Sequence, residues 1–324
     1  MFCFNVFHSF HRKFQFTFTH PPMEDLEAEN GNIAQRLTEF LTLASRDQLL
    51  VALVTSGGTT APIEQRTVRF LDNFSTGQRG AACVEQLLTR GYAVLLLRRR
   101  GSLAPHARHV RPAELLAGLE EGSDGRWTLG EAAARRLAAP AEAARRDGAR
   151  LMTLLFTSVD EYLALLEAAA GALAPLGRRL LLLLAAAVSD FQVPAEERVE
   201  HKVSGGDQPL TLHLQPVPKA LARLTADWCP AAFVATFKLE TDERVLVARA
   251  RAALARYGHQ LVVANLLQTR RQRVTMVTPA AADAVERRGD AELEEAIVAD
   301  LVRRHQEFVD GAQTGVKAEE RQPC

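Results

Sequence analysis

The residues of this chain that can do chemistry sit where apolar runs give way to loops. They are paired glycines, two amides, an acid and a few cations. Thr55-Ser56-Gly57-Gly58-Thr59 follows the apolar run 49–54, and a second glycine loop, Ser75-Thr76-Gly77-Gln78-Arg79-Gly80, opens a helical pattern. Glycine lets backbone N–H groups come close to a ligand. A helix start adds free N–H donors and the positive end of the dipole. The combination suits an anion, phosphate above all. Between the loops lies Arg69-Phe70-Leu71-Asp72-Asn73. Asn73 can hydrogen-bond a reacting carbonyl or acyl-phosphate oxygen, or simply shape a turn. Arg69 can pair with a phosphate or carboxylate, or be a solvated charge. Neither G-x-G-x-x-G nor GK[ST] occurs, so the usual dinucleotide and Walker fingerprints do not apply.

Further candidates follow later apolar runs. Ala186 and Ala187 are small enough for a ligand to approach the backbone, and Asp190 follows as a functional acid or a helix cap. Lys202, in Glu200-His201-Lys202-Val203-Ser204-Gly205-Gly206, can fold over phosphates or stay a surface lysine. Phe237 can stack on a nucleobase or pack in the core. Asn265 can read a base edge or ribose, or serve a turn. None of the nine histidines pairs with Cys, Asp or Glu at ligand spacing, so no structural metal site is indicated.

Alternating strands and helices must position these groups. Strands are expected at 49–54, 92–97, 151–156, 180–187, 231–239, 260–265 and 274–277, with a half-exposed strand at 210–214. Helices are expected at 24–47, after the second glycine loop as far as a C-cap at Gly91, and at 159–173, 219–228, 242–257 and 290–305. Residues 112–148, rich in Ala, Arg and Glu, read as helices and a surface insertion without strands. The pattern predicts a three-layer, Rossmann-like, mainly parallel α/β sheet with helices on both faces. Ligands then bind beyond the carboxyl ends of the strands.

Composition sets the outer bounds. The 324 residues are 47% hydrophobic, with 39 basic and 39 acidic residues, so no global charge favours nucleic acid or acidic membranes. The longest apolar run, 180–188, is far short of the ~20 residues a bilayer span needs. Cys3, Cys83, Cys229 and Cys324 show no metal spacing and suit a reducing, cytoplasmic compartment. Residues 1–20 hold seven of the fifteen phenylalanines and no acid. They read as a non-structural leader over 1–23, with Met23 an alternative start. Residues 24–310 read as one α/β domain, and 311–324 as a polar, disordered tail.

Taken together, LVTSGGT, VRFLDNFSTGQRG, AAAVSDF, EHKVSGG, PVPKAL, FKLET and VVAN resemble, in that order, the phosphopantothenoylcysteine synthetases of coenzyme A biosynthesis. The blocks reach from residue 53 to 265. The chain is most similar to the eukaryotic, stand-alone form, without the fused flavin-dependent decarboxylase of many bacteria. The resemblance implies ligation of 4′-phosphopantothenate and L-cysteine through an acyl-nucleotidyl intermediate, releasing pyrophosphate and then nucleoside monophosphate. It implies ATP, where bacterial relatives use CTP, with Mg²⁺ balancing the triphosphate. By motif, Gly57, Ser75, Gly77, Gly80, Phe237 and Asn265 would contact the nucleotide. Asn73, Ala186, Ala187 and Asp190 would hold phosphopantothenate. Arg69 would reach the substrate of a neighbouring subunit in a homodimer built by a small strand and flap extension. Asn73 and Lys202 would be catalytic, Lys202 on a flap that shields the intermediate from water. Two rival readings use the same sheet, a nicotinamide-dependent oxidoreductase and an inactive nucleotide-binding scaffold.

Overall fold

A computed structural model describes residues 23–205 and 209–319. The Phe-rich leader falls outside them, as do Gly206 at the end of the Lys202 loop and residues 320–324. Eight strands form the main sheet: β1 Val51–Ser56, β2 Ala93–Arg99, β3 Leu151–Phe156, β4 Leu180–Leu184, β5 Phe233–Glu240, β6 Leu261–Leu266, β7 Arg273–Val277 and β8 Ala282–Glu286. Their spatial order is β3-β2-β1-β4-β5-β6-β7-β8. The first six run parallel, and β7 and β8 are added antiparallel. A parallel 3-2-1-4-5-6 order is that of doubly wound nucleotide-binding sheets, and its switch point lies between β1 and β4.

Burial explains why these runs are strands. Every residue of β1 is buried, as expected for a central strand covered on both faces. Leu53, Leu95, Leu154 and Leu182 face one layer, with α1 (Met23–Asn30), α2 (Ile33–Arg46) and α5 (Val159–Leu173). Ala52, Val54, Leu96 and Leu183 face the other, with α3 (Gln78–Thr89) and α7 (Leu293–Glu319). Two more long helices are α4 (Glu131–Asp147) and α6 (Glu243–Tyr257), and α6 covers Val262 and Ala264 of β6; shorter helical turns lie at Pro112–Ala117 and Ala220–Arg223. The three-layer expectation is met.

Several local expectations are corrected. The first helix is two, because Gly31 adopts φ +68° and Asn32 caps α2 by accepting from the Gln35 N–H at 2.8 Å. The 112–148 region holds a ribbon, Leu119–Glu121 against Trp127–Leu129, turned at Gly125 with φ +75°. A two-stranded surface ribbon buries too little to show an apolar alternation. Residues 210–214 alternate but form no strand; the pairing there joins Gln215–Pro216 to Phe191–Gln192. β8 was not foreseen, because Ala-Asp-Ala-Val-Glu lacks a β-branched or aromatic run. The last helix passes residue 305 and continues to Glu319. Among the described residues, no helix is long and apolar enough to cross a membrane.

Candidate functional site

Beyond their last paired residues, β1 and β4 stay joined. The Ala187 N–H donates to the Gly57 carbonyl at 2.8 Å, and the Thr59 N–H donates to the Ala187 carbonyl at 3.1 Å. The Ser189 N–H donates to Thr59 Oγ1 at 2.9 Å, and the two hydroxyls lie 2.9 Å apart. On the other side, the Thr60 N–H donates to the Thr157 carbonyl at 3.0 Å. The chain leaving β1 is therefore pinned from both flanks. This fixes Ala186 and Ala187 opposite the first glycine loop.

An arm then projects, pairing Thr60–Pro62 with Phe70–Asp72. At its base, Arg99 grips Asp72 with two bonds of 2.6 and 3.2 Å. Asn73 follows directly. Its N–H donates to the Thr59 carbonyl at 3.2 Å, and its own carbonyl lies against Gly58. A Cβ on Gly58 would come within 1.8 Å of that oxygen, so only glycine lets the two loops meet here. Its position is held by backbone contacts.

At the arm's far end, the Glu64 carboxylate is buried and accepts from the Arg69 N–H at 2.9 Å, the Val68 N–H at 3.2 Å and Arg69 Nη1 at 3.0 Å. Arg69 Nη1 also donates to the Val203 carbonyl at 2.9 Å. Backbone bonds from Gln65 and Arg66 to the carbonyls of Val199 and Glu200 extend the same seam. The arm and the loop carrying Lys202 are thus one unit. Hydrogen bonding, led by the Arg69 N–H, holds the Glu64 carboxyl below its ordinary 4.5. A depressed carboxyl pKa stabilises above the ordinary value, and that stability is lost as pH falls through the lowered one. Hydrogen-exchange protection of the Arg69 amide should therefore collapse below about pH 4.5, and Glu64→Gln should leave it low at every pH.

The second glycine loop packs on β1 from the α3 side. Gly77 takes φ +79° and starts α3 with no acid in the first turn, and the Gln78 N–H finds only the Thr76 hydroxyl at 3.4 Å. Ser56 Oγ donates to the Gly77 carbonyl at 3.1 Å. A Cβ on Gly80 would lie 2.4 Å from Ser56 Cβ, so Gly80 is the position that lets α3 approach β1. Ser102 touches both loops: a Cβ would meet its Oγ at 3.2 Å from Gly57 and 3.1 Å from Gly77. Ser75 Oγ sits 3.4 Å from the Gly77 N–H.

Beyond β4 and β5 opens a cleft of about 530 Å³, lined by Ala186, Ser189, Asp190, Lys219, Phe237 and Lys238 among others. Asp190 Oδ1 and Lys219 Nζ are 2.5 Å apart on its rim. Thr236, also on the wall, bonds His259 Nε2 at 3.1 Å, and burial pushes His259 down to about 4. Asn265 is buried in β6, and its Oδ1 has no hydrogen-bond partner.

The structure thus brings Ala186, Asp190 and Phe237 to one cleft, and Gly57, Ser75, Gly77 and Gly80 to the start of α3. Arg69 and Lys202 do not line the cleft; they belong to the arm unit. Ser102, Ser189 and Lys219 had no individual role in the sequence reading, and Gly58 and Thr59 stood there only as members of the glycine loop. Lys219 stands inside PVPKAL, and the glycine pair signalled Gly58. Nothing local signals Ser102.

The family model described as the DNA/pantothenate metabolism flavoprotein C-terminal domain matches residues 49–115 and 164–303. The ribbon at 119–129 and α4 lie outside it. The human phosphopantothenate–cysteine ligase is 45% identical over 288 residues, 85% of this chain and 93% of the relative. The Saccharomyces cerevisiae phosphopantothenate–cysteine ligase CAB2 is 37% identical over 307 residues, 85% of this chain and 82% of the relative. A solved Cab2 variant in complex with phosphopantothenate-cysteine superposes with a TM-score of 0.82 at 36% identity, covering 92% of this chain and 98% of that one. A Streptococcus pneumoniae DNA/pantothenate metabolism flavoprotein, 23% identical with a TM-score of 0.56, shares the fold.

Proposed function

Because the chain belongs to the phosphopantothenate–cysteine ligase family, we propose that it joins the carboxylate of 4′-phosphopantothenate to the amine of L-cysteine at the expense of ATP. A phosphopantothenate carboxylate oxygen attacks the α-phosphorus, and the α–β phosphoanhydride bond breaks to release pyrophosphate. The cysteine nitrogen then attacks the acyl carbon of the mixed anhydride, loses a proton, and AMP leaves. Adenylation needs positioning and charge neutralisation more than a covalent nucleophile. One observation carries this reading: a helix start with no acid in its first turn, opened by Gly77 and reached by Ser102 together with Gly57, on the same sheet end as the cleft that holds Ala186 and Asp190.

In this reading the α3 start receives the phosphates, Phe237 stacks on the base, and Asn265 Oδ1 accepts its amine. Ala186, Ala187 and Asp190 hold phosphopantothenate, and Asn73 steadies the oxygen that gains charge. Lys202 closes over the intermediate. Among the described residues no three His, Cys, Asp or Glu side chains converge on a point. Magnesium would be carried on the triphosphate oxygens.

The enzyme acts as a homodimer in which Arg69 serves the neighbouring subunit. The arm and its surroundings support this, for Phe74 is 85%, Phe191 53% and Phe70 48% exposed. A cytoplasmic setting fits the buried free thiols Cys83 and Cys229. The reading is tested with each of the four nucleoside triphosphates in turn, product amide being measured at equal concentrations. ATP should support the fastest synthesis; a preference for CTP would overturn the base assignment.

A further inference from the structure

Arg79 makes contacts that the glycine loop does not require of it. It lies in the first turn of α3, and its side chain is 18% exposed. Its Nη2 donates to the backbone carbonyl of Arg270, in the turn between β6 and β7. Its guanidinium carbon stands 5.6 Å from the centroid of the Phe237 ring. Nη1 lies 3.2 Å from Glu294 Oε1, in the first turn of α7, but makes no aligned hydrogen bond. One cation therefore touches α3, β5, the β6–β7 turn and α7.

Two other buried polar atoms lie close in sequence to that turn without a hydrogen-bond partner: Asn265 Oδ1 at the end of β6 and Thr269 Oγ1 within the turn. Buried polar atoms are almost always paired, so Asn265 Oδ1 is available to accept from a bound molecule. Asn265 stands two residues along β6 from Val263, the strand partner of Phe237, and Arg79 holds the carbonyl of Arg270, next to Thr269.

We propose that Arg79 is a positioning residue for the nucleotide. It fastens the base-reading elements, Phe237 and the strand end carrying Asn265, to the phosphate-reading loop at Gly77. Base and triphosphate are then held at one fixed spacing. The guanidinium suits the task because its planar fork serves the Arg270 carbonyl, the Glu294 carboxylate and the aromatic face at once. A lysine reaches one of these, not all three. Arg79 is already engaged by the Arg270 carbonyl, the Phe237 ring and the Glu294 carboxylate, so it acts through these neighbours. The assignment rests on the nucleotide reading above.

The test is steady-state kinetics of Arg79→Lys and Arg79→Gln with each substrate varied, beside Asn265→Ala. Both Arg79 variants should raise KM for ATP by about tenfold, the worth of one charged hydrogen bond. KM for phosphopantothenate and cysteine should stay put, with kcat within about twofold. A merely structural role would lower the melting temperature and the active fraction without a nucleotide-specific KM change, and that pattern overturns the proposal. If Asn265→Ala raises KM for ATP while both Arg79 variants do not, the Arg79 assignment fails alone. If none of the three moves it, the nucleotide reading fails and Arg79 with it.

Discussion

Asn73→Ala should lower kcat by about a hundred- to a thousandfold, the range seen when one donor to a developing oxyanion is removed. The fold should survive, because Asn73 is held by its backbone, through the Thr59 carbonyl and the contact with Gly58. Its side chain is only partly buried. The expected signature is a fall in kcat and kcat/KM together, with an unchanged melting temperature. Asn73→Asp should be at least as damaging, since it sets a negative charge beside a carboxylate that is gaining an electron-rich phosphate. A variant within twofold of wild type would remove Asn73 from the chemistry.

Gly58→Ala should be nearly as severe by a different route. The added Cβ would stand 1.8 Å from the Asn73 oxygen and 2.9 Å from its carbonyl carbon. Both are backbone atoms, so no side chain can rotate away. The loop must shift by an ångström or more, and a misplacement of that size is worth about a hundredfold in rate. The clash should also lower stability by about 1–3 kcal/mol, as overpacking does. Gly58→Ala therefore loses melting temperature and activity together, where Asn73→Ala loses activity alone. Calorimetry and kinetics on the pair distinguish a displaced loop from a missing functional group.

The layers of this fold were legible because its central strands are buried on both faces. The run 180–184 is five leucines, and no amphipathic alternative exists for it. The strand order was not legible. Parallel strands joined by long crossovers carry no sequence mark of their neighbours, so the 3-2-1-4-5-6 arrangement emerged only from the structure. That order alone fits hydride-transfer enzymes equally well; the loops and the relatives separate the two.

Candidate site residues stand out where strand ends announce them: Gly57, Asp190, Phe237 and Asn265 each follow or close an apolar run. Their partners do not. Lys219 meets Asp190 across 29 positions, and Arg79 reaches Arg270 across 191. Such contacts depend on how loops return over the sheet, which local spacing does not encode. Arg69 shows the limit from the other side. Its charge was expected to look outward, yet within this chain Glu64 and Val203 hold it. The arm is thereby stiffened, and an outward role for Arg69 rests on that rigid mount.

The most direct test of the central claim is the nucleotide product. With ATP, 4′-phosphopantothenate and L-cysteine, the protein should release AMP and pyrophosphate in equal amounts, matched one for one by the amide. Formation of the amide should stop when cysteine is withheld. Release of ADP and phosphate, or an absence of any cysteine-dependent product, would contradict the account.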